Sequence, residues 1–315
     1  MGISQYIKEI GRGKDGARPL TREQANDLLG QVLDGAVTDL EVGAFCLAMR
    51  IKGETPEEMA GFLDATHQRL NRLPANPDNT PTVVLPSYNG ARKLPVLTPL
   101  LASLLAREGV AVLIHGTPTE TSRVFASEVL LAMGIQPLTA VRAVSAGEVA
   151  FMPTEVLSPA LKRLLDVRRA VGLRNPAHSL VKIMTPCEGK SLVVSSYTHP
   201  EYAISMAQTF ELVKANALLL RGTEGEVVAD ARRMPHMEAF IDGRREVVQE
   251  AQAGTLSSIP DLPKTTEAAG TAVYIQSVLA GEQAVPPSIA SQVEHILHLL
   301  TQINAPHLNK EIETS

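Results

Sequence analysis

The sequence predicts a small N-terminal helical domain followed by a larger α/β domain with a mostly parallel central sheet. Three observations predict it. Three helix-start signatures precede residue 60, a Pro- and Asn-rich stretch at 73–81 ends the helical periodicity, and short apolar runs separated by helix-length segments follow. At 315 residues the chain is long enough for about two domains. With 44% hydrophobic and 20% charged residues it has the makeup of an ordinary globular protein.

Each start signature is a Thr followed three residues later by Gln or Glu: Thr21 with Gln24, Thr38 with Glu41, Thr55 with Glu58. The hydroxyl accepts from a backbone N–H that the first helical turn leaves unpaired, and the longer side chain reaches back. Pro56 presets the helical φ of the third helix. Leu28, Leu29, Val32 and Leu33 then make one apolar face, and Val42, Phe45, Cys46 and Met49 another, the packing surfaces of a small bundle.

From Thr82 onward, strands are expected at 82–85, 111–114, 192–195 and 217–220. Helices are expected at 96–107, from Thr121 or Ser122 to Met133, and at 201–214. Strand, helix, strand with apolar strands implies a parallel sheet covered on both faces. Helices at 158–172 and 176–184 are expected to return to the N-terminal bundle, and two more at 266–279 and 287–302 precede an exposed polar tail from Asn309. The helical domain is thus 1–75, joined by helices from about 158 to 188. The α/β domain is 80–157 with 189–315.

The net charge of -5 argues against a uniformly basic surface, and 3% aromatic residues with no Trp handicap nucleic-acid binding by stacking. Charge is nonetheless local. Between Lys162 and Lys182 six Lys or Arg meet one acid, Asp166, and Arg12, Lys14 and Arg18 add cations near the N-terminus, while the chain turns acidic from Glu246 on. Cys46 and Cys187 stand far apart with no paired Cys-x-x-Cys ligands, so neither a disulfide framework nor a structural zinc site is expected. Residues 1–6 lack a signal pattern and no run reaches the 18 or so apolar residues of a membrane span. The expectation is a cytoplasmic protein with reduced thiols and no membrane partner.

Four segments carry a family resemblance: His115-Gly116; Val129-Leu130 with Ala132-Met133-Gly134; Val167-Arg168-Arg169 with Gly172; and Arg221-Gly222-Thr223-Glu224-Gly225. In this order, over nearly the whole chain, they resemble anthranilate phosphoribosyltransferase. That family of glycosyltransferases moves phosphoribose from phosphoribosyl pyrophosphate to anthranilate, with magnesium, in tryptophan biosynthesis. The enzymes carry Gly-Thr-Gly-Gly-Asp-Gly after the first strand, where bare backbone wraps a diphosphate. This chain has Pro86-Ser87-Tyr88-Asn89-Gly90-Ala91-Arg92-Lys93, with one glycine and two cations. The Lys-His-Gly-Asn loop becomes Ile114-His115-Gly116-Thr117, and Ser-Ser-Lys-Ser-Gly becomes Thr121-Ser122-Arg123-Val124-Phe125. The acidic pair that holds magnesium matches Val227 and Val228, which offer no hard oxygen, and the neighbouring Glu224 and Glu226 are expected in a solvated turn.

The loop at 86–93, Arg-Gly-Thr-Glu-Gly-Glu-Val at 221–227 and the opening Ile7-Lys8-Glu9-Ile10-Gly11-Arg12-Gly13-Lys14 resemble a sister group, the YbiB-type proteins. That resemblance implies a homodimer that binds single- and double-stranded nucleic acid with little sequence preference and lacks the transferase activity. The expected phosphate-binding residues are Arg12, Lys14, Arg18, Asn89, Gly90, Arg92, Lys93, His115, Arg123, Arg168, Arg169, Arg174 and Lys182. No catalytic residue and no cofactor is expected on this reading. The alternative is a phosphoribosyltransferase, and only that alternative calls for magnesium.

Overall fold

The computed structural model describes residues 2–13, 15–254 and 260–305. Four helices open the chain: α1 (Ser4–Ile10), α2 (Arg22–Leu33), α3 (Asp39–Lys52) and α4 (Pro56–His67). All three Thr capping boxes form, with both reciprocal hydrogen bonds present in each. Gly61 lets α4 lie close against α2, since a Cβ there would come within 2.2 Å of the Arg22 carbonyl oxygen. Buried Glu58 ties three segments together, accepting from the N–H groups of Leu20 and Thr55 at 2.9 Å each and pairing with Lys52 at 2.6 Å.

The sheet follows: β1 (Thr82–Ser87), α5 (Thr98–Arg107), β2 (Ala111–Gly116), α6 (Ala126–Ala132) and β3 (Val149–Pro153). Next come α7 (Thr154–Leu157), α8 (Pro159–Val171), α9 (Ala177–Leu180), β4 (Ser191–Tyr197), α10 (Pro200–Leu212) and β5 (Ala217–Arg221). The hairpin β6 (Met237–Ile241) and β7 (Arg244–Gln249), then α11 (Ala268–Leu279) and α12 (Pro287–Asn304), complete it. The strand order is β3-β2-β1-β4-β5-β6-β7, the first five parallel, β6 antiparallel to β5 and β7 antiparallel to β6.

Both faces of the sheet are apolar, as a parallel sheet between layers requires. Val84, Leu113, Val193 and Leu219 face a core shared with α2, α4, α8 and α10, so the helical domain and this face of the sheet are packed as one body. Val83, Leu85, Val112, Ile114, Val194 and Leu218 face a second core closed by α5, α6, α11 and α12. No helix among the described residues is long and apolar enough to cross a membrane.

Three expectations are corrected. The helix placed from Thr121 or Ser122 begins at Ala126, because 121–124 turn back to form an antiparallel bridge between Val124 and Ala91; the Glu128 carboxylate, not a hydroxyl, accepts from Phe125 N–H at the helix start. Of the helix expected at 176–184, α9 covers one turn only. Strands β3, β6 and β7 were not expected; Asp242 and Gly243, both at positive φ, form the tight turn between the last two. The tail from Asn309 and residue Lys14 lie outside the described residues.

Glu58→Ala should lower the unfolding free energy by about 3–5 kcal/mol, since it strands a buried ammonium and two N–H donors. Thr38→Ala, at an exposed cap, should cost about 1 kcal/mol. Urea denaturation checks both, and equal losses would contradict the role given to Glu58.

Candidate functional site at the carboxyl edge of the sheet

Because β1 pairs with β2 on one side and β4 on the other, the strand order reverses between β1 and β4. In open α/β sheets a ligand crevice forms at the carboxyl ends of strands at such a point. Here the loops after β1, β2, β4 and β5 meet. Gly225 permits the closest approach, since at its φ of +88° a Cβ would fall 1.8 Å from Asn89 Nδ2.

The loop after β1 turns its backbone N–H groups inward, and two carboxylates from the loop after β5 take them. Glu226, 2% exposed, accepts from the N–H groups of Asn89 and Gly90, at 2.8 Å each, and from the hydroxyls of Ser87 at 2.6 Å and Thr98 at 3.1 Å. Glu224 accepts from the N–H groups of Arg92 at 2.8 Å, Lys93 at 3.0 Å and Leu94 at 3.3 Å. Burial works to raise Glu224, but these three donors and the Arg92 charge hold its carboxyl below the usual range. The expected solvated turn is therefore a clamp. In chemical terms it is an anion site already filled by the protein's own anions.

A second carboxylate centre lies on the loop after β2. Glu120 pairs with Arg168 at 2.6 Å and Arg123 at 3.0 Å, with Arg174 at 4.0 Å. Burial opposes its ionisation, yet the three arginines outweigh that and keep it below the ordinary carboxylate range. Arg123 also donates to the Asn89 carbonyl at 2.8 Å, tying this cluster to the loop after β1.

Beneath the loops, His115 is 0% exposed, with Nδ1 2.8 Å from the Tyr88 hydroxyl, which in turn is 2.9 Å from Thr154 Oγ1. Burial lowers His115 to about 3 and so keeps it neutral. Beside the clamp, Lys182 Nζ donates to the Gly225 carbonyl at 3.3 Å. Burial first, then the neighbouring Arg174, lowers it to about 8. Lys182 and Arg174 also border a pocket of about 600 Å³ between α3, α4, α9 and α10.

The thirteen expected residues thus divide. Arg123, Arg168 and Arg174 converge on Glu120, and Asn89, Gly90, Arg92, Lys93 and Lys182 lie around the clamp. The Asn89 and Gly90 amides are spent on Glu226, and His115 is sealed below them, so none of these three faces an incoming phosphate from where it stands. Arg169 is exposed and pairs at 3.3 Å with Asp166, which is also the partner of Lys162. Arg12 pairs with Glu9, and among the described residues neither its hydrogen bonds and ion pairs nor those of exposed Arg18 reach the α/β domain. Sequence reasoning missed Glu120 as counter-charge, although its place three residues before Arg123 was a visible signal. It also missed Tyr88, Glu226 and His178.

Magnesium does not fit the residues present. Val227 and Val228 are buried in the second core, and every carboxylate oxygen of Glu224 and Glu226 already accepts from N–H or O–H donors. No group of three or more potential metal-ligating side chains occurs among the described residues.

Fold and site together define a phosphoribosyltransferase-type framework in which the loop after β1 is closed from within by Glu224 and Glu226. Residues 4–69 match the model of a glycosyl transferase family, helical bundle domain. The uncharacterized protein YbiB of Escherichia coli K12 is 39% identical over 298 residues, covering 93% of this chain and 92% of that one. The anthranilate phosphoribosyltransferase of Methanosarcina acetivorans is 33% identical over 201 residues, 62% of this chain and 53% of that enzyme. Among solved structures, anthranilate phosphoribosyltransferase from Thermus thermophilus superposes with a TM-score of 0.70 at 21% identity, over 94% of this chain and 93% of that one. The Saccharomyces cerevisiae enzyme in complex with PRPP and Mg gives 0.70 at 13% identity, over 95% and 89%. The chain belongs to the YbiB-type group of the anthranilate phosphoribosyltransferase-like family.

Burial holds three histidines neutral, with His67, His115 and His178 at about 4, 3 and 4. Unfolded, each returns to an ordinary value near 6.5. Between pH 6.5 and about 4 the unfolded chain therefore binds more protons, and stability falls as pH falls. Each histidine contributes a slope approaching about 1.4 kcal/mol per pH unit. Urea denaturation at pH 7, 6 and 5 should show a steady decline; a flat profile would contradict the assignment.

Proposed function

We propose that the chain binds nucleic acid, DNA or RNA, with little sequence preference, acting as a homodimer in the cytoplasm and lacking anthranilate phosphoribosyltransferase activity. The observation that carries this reading is the clamp. The amides that would wrap a diphosphate are spent on Glu224 and Glu226, while the side chains of Arg92 and Lys93 on the same loop remain exposed. Nearby, one carboxylate, Glu120, stands against Arg123, Arg168 and Arg174, and Arg168 Nη1 is buried with no hydrogen-bond partner among the described residues. A rim of this kind suits a phosphodiester chain, which is held by charge and counterion release and needs no enclosed cradle.

A homodimer through the helical domain is part of the reading. Leu40, Leu47 and Ile51 are exposed at seven- and four-residue spacing on one side of α3, an apolar stripe that a second copy would cover. The transferase reading has the names of the relatives in its favour. Against it stand the filled cradle and the buried valines, since transfer from phosphoribosyl pyrophosphate needs charge neutralisation of the leaving diphosphate.

Titration with two labelled oligonucleotides of unrelated sequence, at several salt concentrations, tests the proposal. Replacing Arg92 and Lys93 together by Ala should weaken both complexes to a similar extent and flatten the log–log salt slope by about two units. No binding by the wild type, or loss confined to one sequence, would contradict it. Turnover of anthranilate with phosphoribosyl pyrophosphate and magnesium at about one per second or faster would overturn the second half.

A further inference from the structure

The pocket beside the clamp is built differently from the rim. At about 600 Å³ it is large enough for a small organic ligand rather than a strand passing over the surface. His178 lines it, is 8% exposed, and has its Nδ1 side held by Asn175, while Nε2 is buried with no hydrogen-bond partner among the described residues. A buried ring nitrogen left unpaired in this way calls for a partner.

Two cations stand next to it with little to satisfy them. Among the described residues, Lys182 Nζ has one long hydrogen bond, to the Gly225 carbonyl, and Arg174 only the 4.0 Å approach to Glu120. Burial first, and then neighbouring arginines, weaken the hold of both on their protons, with Glu226 opposing the shift at Lys182 and Glu120 opposing it at Arg174. An anion between Arg174, Lys182 and His178 would relieve all three.

The remaining walls suit a flat ring. Tyr202 is 37% exposed at the mouth, with the His199 ring 6.2 Å away, centroid to centroid, and Met49, Met59 and Met206 supply polarizable thioethers. Glu54 and Glu201 also line the pocket and would accept from the amino edge of a base.

We propose that this pocket binds a nucleoside monophosphate, the phosphate on Arg174, Lys182 and His178 and the base against Tyr202. The unit is either a free nucleotide or the phosphorylated end of a strand. Only the second source rests on the nucleic-acid reading above, so the two can fail separately.

The test is calorimetric titration of 5′-CMP into the wild type and into Lys182→Met and Tyr202→Ala, with ribose 5-phosphate as the ligand that lacks a base. One site per chain is expected, weakened at least tenfold by either substitution and at least tenfold weaker for ribose 5-phosphate. Tyr202 is partly exposed, so its variant keeps the test standing should Lys182→Met not fold. No binding of 5′-CMP to the wild type at millimolar concentration, or affinity unchanged in Tyr202→Ala, would overturn the proposal. Comparing oligonucleotides with 5′-phosphate and 5′-hydroxyl ends then separates the sources. A preference for the phosphorylated end that is lost in Tyr202→Ala assigns the strand end, and equal affinity assigns the free nucleotide.

Discussion

The carboxylate of Glu226, buried among two backbone N–H groups and two hydroxyls, is the interaction on which the arrangement of this site depends. Hydrogen bonds to a charged acceptor contribute about 1.5–3 kcal/mol each, enough together to offset removing one carboxylate from water. The result is a loop after β1 whose shape is fixed by the loop after β5. Glu224 extends the same clamp along the next three residues. A loop organised in this way has few donors left for a ligand's phosphate.

The rest follows from that closure. With Glu226 turned inward, the Gly225 carbonyl is presented to Ser196 and Lys182, at 2.7 Å and 3.3 Å, which draws the lysine head group into the crevice. The Asn89 carbonyl is presented to Arg123, and through it the loop is joined to Glu120, Arg168 and Arg174. Cationic side chains thus surround a cradle already neutralised inside. What remains available is the outward charge of the rim and the separate pocket beyond Lys182.

Much of the fold was legible because it is written in local signals. The three Thr boxes need only their own four residues, and β1, β2, β4 and β5 each contain a run of at least three apolar residues. What stayed hidden depends on distant partners. Thr121 and Ser122 look like helix caps until Val124 is seen to bridge Ala91, and Glu226 looks like a surface glutamate until the loop at 87–90 is folded over it. The six-to-one charge count around 162–182 was right as arithmetic and incomplete as electrostatics, since Glu120 arrives from another loop. His178 reads as an ordinary helical residue, and only the pocket exposes its unpaired nitrogen.

The most direct test of the clamp is amide hydrogen exchange at Asn89, Gly90, Arg92 and Lys93, read residue by residue with and without phosphoribosyl pyrophosphate and magnesium. These amides should exchange slowly in the free protein, because Glu224 and Glu226 hold them, and their rates should not change when the diphosphate is added. Fast exchange in the free protein, slowed on addition of phosphoribosyl pyrophosphate, would mean that the cradle is open and takes the ligand its relatives take.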